Sequence, residues 1–85
     1  MKVYIIFSNC EKINEGEYGT YSPNIEYLSL DQSKVKEVFE KERNKYFNME
    51  GCEIDENLPE EFGCQVSNWW YHYWMKEYPL DEFVK

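Results

Sequence analysis

Basic residues are scarce in this 85-residue chain. Nine Lys and Arg stand against seventeen Asp and Glu, which gives a net charge of −8. A surface with this balance repels phosphate backbones and anionic lipid, so the sequence disfavours direct binding of nucleic acid or membrane. Such a surface is instead attracted to basic surfaces of other proteins. The simpler alternative is that the charge only keeps an aromatic-rich protein in solution.

Cysteine, histidine and glycine are also too few for several kinds of site. Cys10, Cys52 and Cys64 are odd in number and match neither a disulfide framework nor a zinc knuckle. We expect free thiols in a reducing cytoplasm, although a Cys52–Cys64 pair stays open. The one histidine, His72, is expected to be a packed or half-exposed strand residue rather than a general base. With no Gly-rich phosphate loop, the sequence predicts no catalytic residue, metal site, cofactor or enzymatic activity.

Long apolar runs are absent as well. Val3–Phe7 is too short for the apolar region of a signal peptide, and no run approaches transmembrane length, so we expect a cytoplasmic protein. The length predicts a single domain over residues 1–85 with a thin core. Aromatic residues make up 19% of the chain and supply the apolar area that a thin core needs.

The first part of the chain predicts two strands. Val3–Phe7 is a continuous apolar run typical of a buried strand inside a sheet, and Ile25–Ser29 alternates like a second strand. The polar stretch from Asn9 to Pro23 is expected to be a loop or a loose hairpin arm, in which Glu17–Tyr21 could be extended.

A helix is predicted between the second strand and Gly51, which is a natural terminator. Ser29 with Gln32 matches a capping box, and Asp31 or Ser33 could cap the helix instead. One apolar stripe recurs at helical spacing: Val35, Val38, Phe39, Tyr46 and Met49.

The last part of the chain joins an acidic segment to an aromatic one. Segment 48–68 has no Lys or Arg and contains Pro59 and Gly63, so we expect a long irregular loop. The aromatic density of segment 69–78 favours a strand over the alternative, a helix starting after Ser67. In that strand Trp70, His72, Trp74 and Lys76 share one face, and Trp69, Tyr71, Tyr73 and Met75 share the other.

These elements predict an α+β fold. A small three- or four-stranded sheet, in β-β-α-β order, would carry one amphipathic helix on one face, with the first and last strands as neighbours. The second face of the sheet would either lie beneath the acidic loop or expose Trp70 and Trp74. Exposed tryptophans of this kind anchor protein interfaces, self-association included.

The organisation of the whole chain carries a resemblance. Its features are a short apolar strand beginning at Met1, the Glu-Tyr-Gly-Thr-Tyr-Ser loop at 17–22, a Lys- and Glu-rich helix, and an aromatic strand ending at Tyr78. In size, charge and organisation the chain resembles small acidic proteins of phages and mobile elements, some of them anti-CRISPR or related counter-defence proteins. The resemblance implies a domain that blocks a nucleic-acid-handling enzyme by occupying its basic groove, and it assigns no role to an individual residue.

The leading hypothesis is therefore a non-enzymatic domain that binds a basic surface of a host protein. Acidic side chains would pair with Lys and Arg of the partner, and tryptophans would anchor the contact. The predicted partner-binding residues are Glu53, Asp55, Glu56, Glu60, Glu61, Trp70 and Trp74. The alternative is a small-ligand-binding or homo-oligomeric domain, such as a homodimer, that uses the aromatic strand face.

Overall fold

The computed structural model describes residues 1–12 and 23–80, which form five strands and one helix. In chain order these are β1 (Lys2–Lys12), β2 (Asn24–Ser29), α1 (Gln32–Phe47), β3 (Glu53–Leu58), β4 (Glu61–Val66) and β5 (Trp69–Pro79). All strand pairs are antiparallel, in the order β2-β1-β5-β4-β3. The proposed extended segment Glu17–Tyr21 and the end of the chain after Leu80 lie outside the described residues. Within those residues, no helix has both the length and the apolar character needed to cross a bilayer.

The predicted three- or four-stranded sheet in β-β-α-β order is wrong, because the sheet has five strands in the chain order β-β-α-β-β-β. The difference lies in the acidic segment, where the expected loop is the hairpin β3–β4. Leu58 pairs with Glu61, so Pro59 and Glu60 form a two-residue turn in which proline interrupts no ladder hydrogen bond. Strand β1 also continues to Lys12, past its predicted end at Phe7.

Helix α1 confirms the predicted helix and shows which residue caps it. Asp31 is the N-cap: its Oδ1 accepts hydrogen bonds from the backbone N–H groups of Ser33 at 2.9 Å and Lys34 at 3.4 Å. Of the other two predicted caps, Ser29 instead accepts the N–H of Asp31 on its hydroxyl at 3.0 Å, and Ser33 donates its N–H to Asp31. The helix ends before Gly51, whose φ of +78° fits a glycine in the turn toward β3.

The apolar stripe of α1 packs against one face of the sheet, which we call the helical face. The buried apolar residues are Ile6, Val35, Phe39, Tyr46, Phe62, Cys64 and Tyr73. Phe62 lies at the centre, stacked on Tyr73 at 5.0 Å and meeting Phe39 edge-on at 5.2 Å. Three members of the predicted stripe are therefore core residues, while Val38 and Met49 are partly buried beside them.

Strand β5 lies in the middle of the sheet, between β1 and β4. It pairs with β1 over the full length of both strands, so the prediction that the first and last strands are neighbours is confirmed. The strand interpretation of the aromatic segment is confirmed as well. Alternation along β5 turns Tyr71, Tyr73 and Met75 toward the helical face. The opposite face, which we call the aromatic face, is centred on Phe7, Trp70, His72 and Trp74.

Candidate protein-binding face

The centre of the aromatic face is a continuous row of stacked rings. On β5, the His72 ring lies 5.1 Å from that of Trp70 and 5.0 Å from that of Trp74. Trp74 stacks in turn on Phe7, its partner across the β1–β5 ladder, at 5.7 Å and 22°. All four side chains are half-buried. The rings thus cover much of one another, and the row presents a long, partly apolar ridge to solvent.

A β-bulge turns two neighbouring carboxylates toward this row. The register between β3 and β4 shifts between Ile54 and Glu56, which leaves Asp55 as the extra residue. Asp55 Oδ2 accepts a hydrogen bond from Trp70 Nε1 at 3.1 Å. The Cβ of Glu56 lies over Gly63, at 3.6 Å from the position that a Cβ on that glycine would take. Strict alternation would have placed Asp55 and Glu56 on opposite faces, so the bulge brings both to the aromatic face.

A third carboxylate, that of Glu61, is in hydrogen-bond contact with His72. Glu61 lies on β4 opposite Trp74, and its Oε1 is 2.5 Å from His72 Nε2. The side chain of Glu61 is 41% exposed and that of His72 21% exposed, so the pair is accessible from solvent. His72 is half-buried in the strand, as its sequence context predicts. The contact orients the imidazole within the row and keeps a carboxylate at the rim of the aromatic face.

The structure brings together most of the predicted partner-binding residues. Glu53, Asp55, Glu56, Glu61, Trp70 and Trp74 share the aromatic face, and Glu60 lies in the turn at its end. The alternative in which the acidic segment folds over the tryptophans is wrong, since that segment lies beside β5 as strands of the same sheet. The one helix of the described chain lies on the helical face.

Positive charge is nearly confined to the other side of the molecule. Among the described strands, alternation places only Lys76 on the aromatic face, while Lys2 and Lys12 fall on the helical face. The remaining described basic residues all lie on the helix: Lys34, Lys36, Lys41, Arg43 and Lys45. Glu11 adds a further carboxylate to the aromatic face on β1. This face therefore carries an excess of negative charge around an apolar ridge.

Sequence reasoning missed the residue that holds the acidic turn in place. Arg43, on α1, donates hydrogen bonds from Nη2 to the carbonyl oxygens of Leu58 at 2.7 Å and Pro59 at 3.2 Å. Its guanidinium also lies 5.2 Å from the ring centroid of Phe39 and 5.8 Å from that of Phe62. Its side chain is only 14% exposed. The signal in the sequence is that Arg43 is the chain's one arginine, the residue type whose planar guanidinium can bond several acceptors and lie against aromatic rings at once.

A groove of about 680 Å³ opens at the turn end of the aromatic face. Its lining includes Leu58, Pro59, Glu60, Glu61, His72 and Trp74. The groove mixes apolar walls with two carboxylates, an imidazole and the ammonium group of Lys76, which is a lining that a small polar molecule could contact.

Possible metal ligands are spread over the part of the chain that the structure describes. No group of three or more His, Cys, Asp or Glu side chains there is arranged to hold a metal ion. Cys10, Cys52 and Cys64 are free thiols, exposed, half-buried and buried respectively.

Comparison of the chain with protein-family models, with curated proteins and with solved structures found no significant match. Function is therefore inferred from the chain's own surface, charge and side-chain contacts.

Proposed function

We propose that this protein is a non-enzymatic binding domain whose aromatic face occupies a basic surface of a nucleic-acid-handling or defence protein in the cytoplasm of a host cell. One observation carries the proposal: Asp55, Glu56 and Glu61 line the β3–β4 side of the tryptophan row on a face with a single described lysine. Protein interfaces commonly combine an aromatic centre with a rim whose charge is opposite to that of the partner. The resemblance to small acidic counter-defence proteins supports the inhibitory role.

The mechanism is competition for cationic side chains. Carboxylates of β3 and β4 would pair with Lys and Arg of the partner, which otherwise contact phosphates. Ion pairs at an exposed rim contribute on the order of 0.2–1 kcal/mol each and weaken with salt, so the carboxylates mainly provide attraction and orientation. Trp70 and Trp74, which are half-buried, would supply the apolar anchor that such rim contacts lack. Occupying the basic surface excludes nucleic acid from it.

The alternative function has two forms, a homo-oligomer and a small-ligand-binding domain, and self-association through the aromatic face is the less well supported of the two. Two copies meeting on this face would bring two sets of carboxylates together, and like charges across an interface cost affinity. The small-ligand form has one observation in its favour, the groove of about 680 Å³ whose lining includes Trp74. A metabolite bound in that groove would change tryptophan fluorescence without changing the oligomeric mass of the protein.

A pull-down with matched charge variants tests the proposal. The bait is the tagged protein in a nuclease-treated lysate of the host cell, washed at low and at high salt and analysed by mass spectrometry. The site variant replaces each predicted carboxylate by its amide at Glu53, Asp55, Glu56, Glu60 and Glu61. The control variant makes five such changes elsewhere, at Glu37, Glu40, Glu42, Glu50 and Glu77. Both variants have the same net charge, so net charge cannot explain a difference between them. The control loses four ion pairs and the site variant the bonds of Asp55 and Glu61, so circular dichroism checks that both are folded.

We expect the wild type and the control variant to retain the same DNA- or RNA-handling protein, released by salt, and the site variant to lose it. Equal loss in both variants would mean that net charge alone drives capture, and the aromatic face would have no special role. Retention by all three proteins would contradict the acidic part of the proposal. If the bait retains no protein, the result would favour the small-ligand-binding alternative, which tryptophan fluorescence would then test.

A further inference from the structure

Two thiols meet at the base of the hairpin β3–β4. Cys64 lies on β4 opposite Ile54, with its side chain fully buried. Cys52 precedes β3 and packs at the edge of the same core, so it is the diagonal neighbour of Cys64 on the helical face. Both side chains therefore face the same part of the core from adjacent positions of the hairpin.

The third cysteine is placed differently. Cys10 lies on β1 opposite Tyr71 of β5, and Cys64 lies opposite the same tyrosine from the other side. Cys10 and Cys64 are therefore two strands apart, a separation of about 9–10 Å at the usual strand spacing. A disulfide requires Cα atoms within about 7 Å, so Cys10 is out of reach of Cys64 while the sheet is intact.

We propose that Cys52 and Cys64 form a reversible disulfide when the protein meets a low-molecular-weight disulfide oxidant. The thiolate of the more accessible Cys52 attacks one sulfur of the oxidant, which gives a mixed disulfide and releases one thiolate. The thiolate of Cys64 then attacks the Cys52 sulfur and releases the second. Two electrons pass from the protein to the oxidant, and the two released thiolates take up the two protons that the cysteines lose.

The backbone at Cys52 can make the adjustment that the bond requires. Diagonal neighbours have Cα atoms about 7–8 Å apart, slightly beyond the range of a relaxed disulfide. Cys52 lies outside the β3 ladder and follows Gly51, which has φ of +78° and open space where a Cβ would lie. A small movement of this turn would close the distance without disturbing β4.

The environment of Cys64 also sets the expected rate. Burial, and after it the neighbouring Cys52 thiol, raises the pKa of the Cys64 thiol to about 12 in the reduced protein. The burial persists after Cys52 has reacted, so only a small fraction of Cys64 is thiolate at neutral pH and the second step is slow. At pH values below the pKa, the thiolate fraction increases about tenfold for each unit by which the pH rises. Closure of the disulfide should therefore accelerate steeply between pH 7 and pH 9.

The crosslink would close a loop that contains all five predicted partner-binding carboxylates, from Glu53 to Glu61. It would thus fasten β3, the edge strand of the acidic side, to β4. The reaction depends only on the two thiols and the hairpin, so it can be correct even if the binding function proposed above is not.

The test uses the full chain and oxidised glutathione at pH 7 and pH 8.5, with samples quenched by alkylation at intervals. Intact mass and peptide mapping after cleavage at glutamate identify the linkage. Cys10→Ser is the matched control, and Cys52→Ser removes the more accessible partner.

We expect the wild type and Cys10→Ser to yield a Cys52–Cys64 linked peptide, faster at pH 8.5, and Cys10→Ser, which lacks the exposed thiol, to lose two hydrogens. The oxidised form should melt on the order of 10 °C above the reduced form. Cys52→Ser should form no internal disulfide. Glutathione adducts that persist at Cys52 without closure, or a linkage through Cys10, would overturn the proposal.

Discussion

Replacing Arg43 by methionine should destabilise the protein far more than its position on a lysine-rich helix suggests. Methionine keeps the apolar stem and the helix propensity but removes the guanidinium, with its bonds to the carbonyls of Leu58 and Pro59. A hydrogen bond from a charged donor contributes about 1.5–3 kcal/mol, and a partly buried cation–π contact about 0.5–2 kcal/mol. Since desolvation of the cation offsets part of this, we expect a loss of about 2–4 kcal/mol in the free energy of unfolding.

Urea unfolding followed by circular dichroism measures that loss, and amide hydrogen exchange locates it. Exchange should accelerate first at the turn around Glu60, because Arg43 ties this turn to α1. Lys41→Met is the matched control: its Nζ lies 3.5 Å from Glu37, but its side chain is 75% exposed, so the change should cost less than about 0.5 kcal/mol. If the two variants lose the same free energy, the assigned role of Arg43 is wrong.

Further predictions concern the core and two glycines. The hydroxyl groups of Tyr46 and Tyr73 lie 3.1 Å apart in the core, so Tyr73→Phe should cost about 1–2 kcal/mol at neutral pH in urea unfolding. Burial, and then the hydrogen bond to Tyr46, raises the pKa of Tyr73, so its contribution to stability is present below about pH 10 and is lost as pH rises further. Tyr73→Phe should therefore flatten the alkaline loss of stability, and an unchanged slope would contradict this. In Gly63→Ala the added Cβ would lie 3.6–3.7 Å from its neighbours, so the melting temperature should stay unchanged or rise slightly. Gly51→Ala, at φ +78°, should cost about 1 kcal/mol. A lower melting temperature for Gly63→Ala than for Gly51→Ala would refute the view that Gly51 is the glycine that the backbone requires.

The elements with strong periodicity could be predicted from sequence, and the acidic strands could not. Helix α1 and strand β5 follow from spacing and aromatic density. Strand β3 was missed because Glu53, Asp55 and Glu56 are poor strand formers, and because Pro59 indicates a break when it in fact forms the turn. The sequence of strand β4 does contain a strand signal: Phe62 and Cys64 alternate with polar or small residues, and both are buried.

The candidate site was predicted in composition but not in geometry. The sequence identifies Trp70 and Trp74 on one side of a strand and an acidic segment before them. It contains no signal for the bulge at Asp55, because a one-residue register shift depends on how the pairing of two strands is completed. Nor could spacing predict Arg43 beneath the turn, since that contact joins the helix to the hairpin across the fold.

The most direct test of the binding face is calorimetric titration of the captured partner with the wild type, the site variant and the control variant, each at low and high salt. We predict that the site variant binds at least about fivefold more weakly than the wild type at low salt, as expected for five rim ion pairs of about 0.2–1 kcal/mol each, and with a smaller salt dependence. The control variant should stay within about threefold of the wild type. A site variant with wild-type affinity and an unchanged salt dependence would contradict the assignment of the aromatic face as the binding surface.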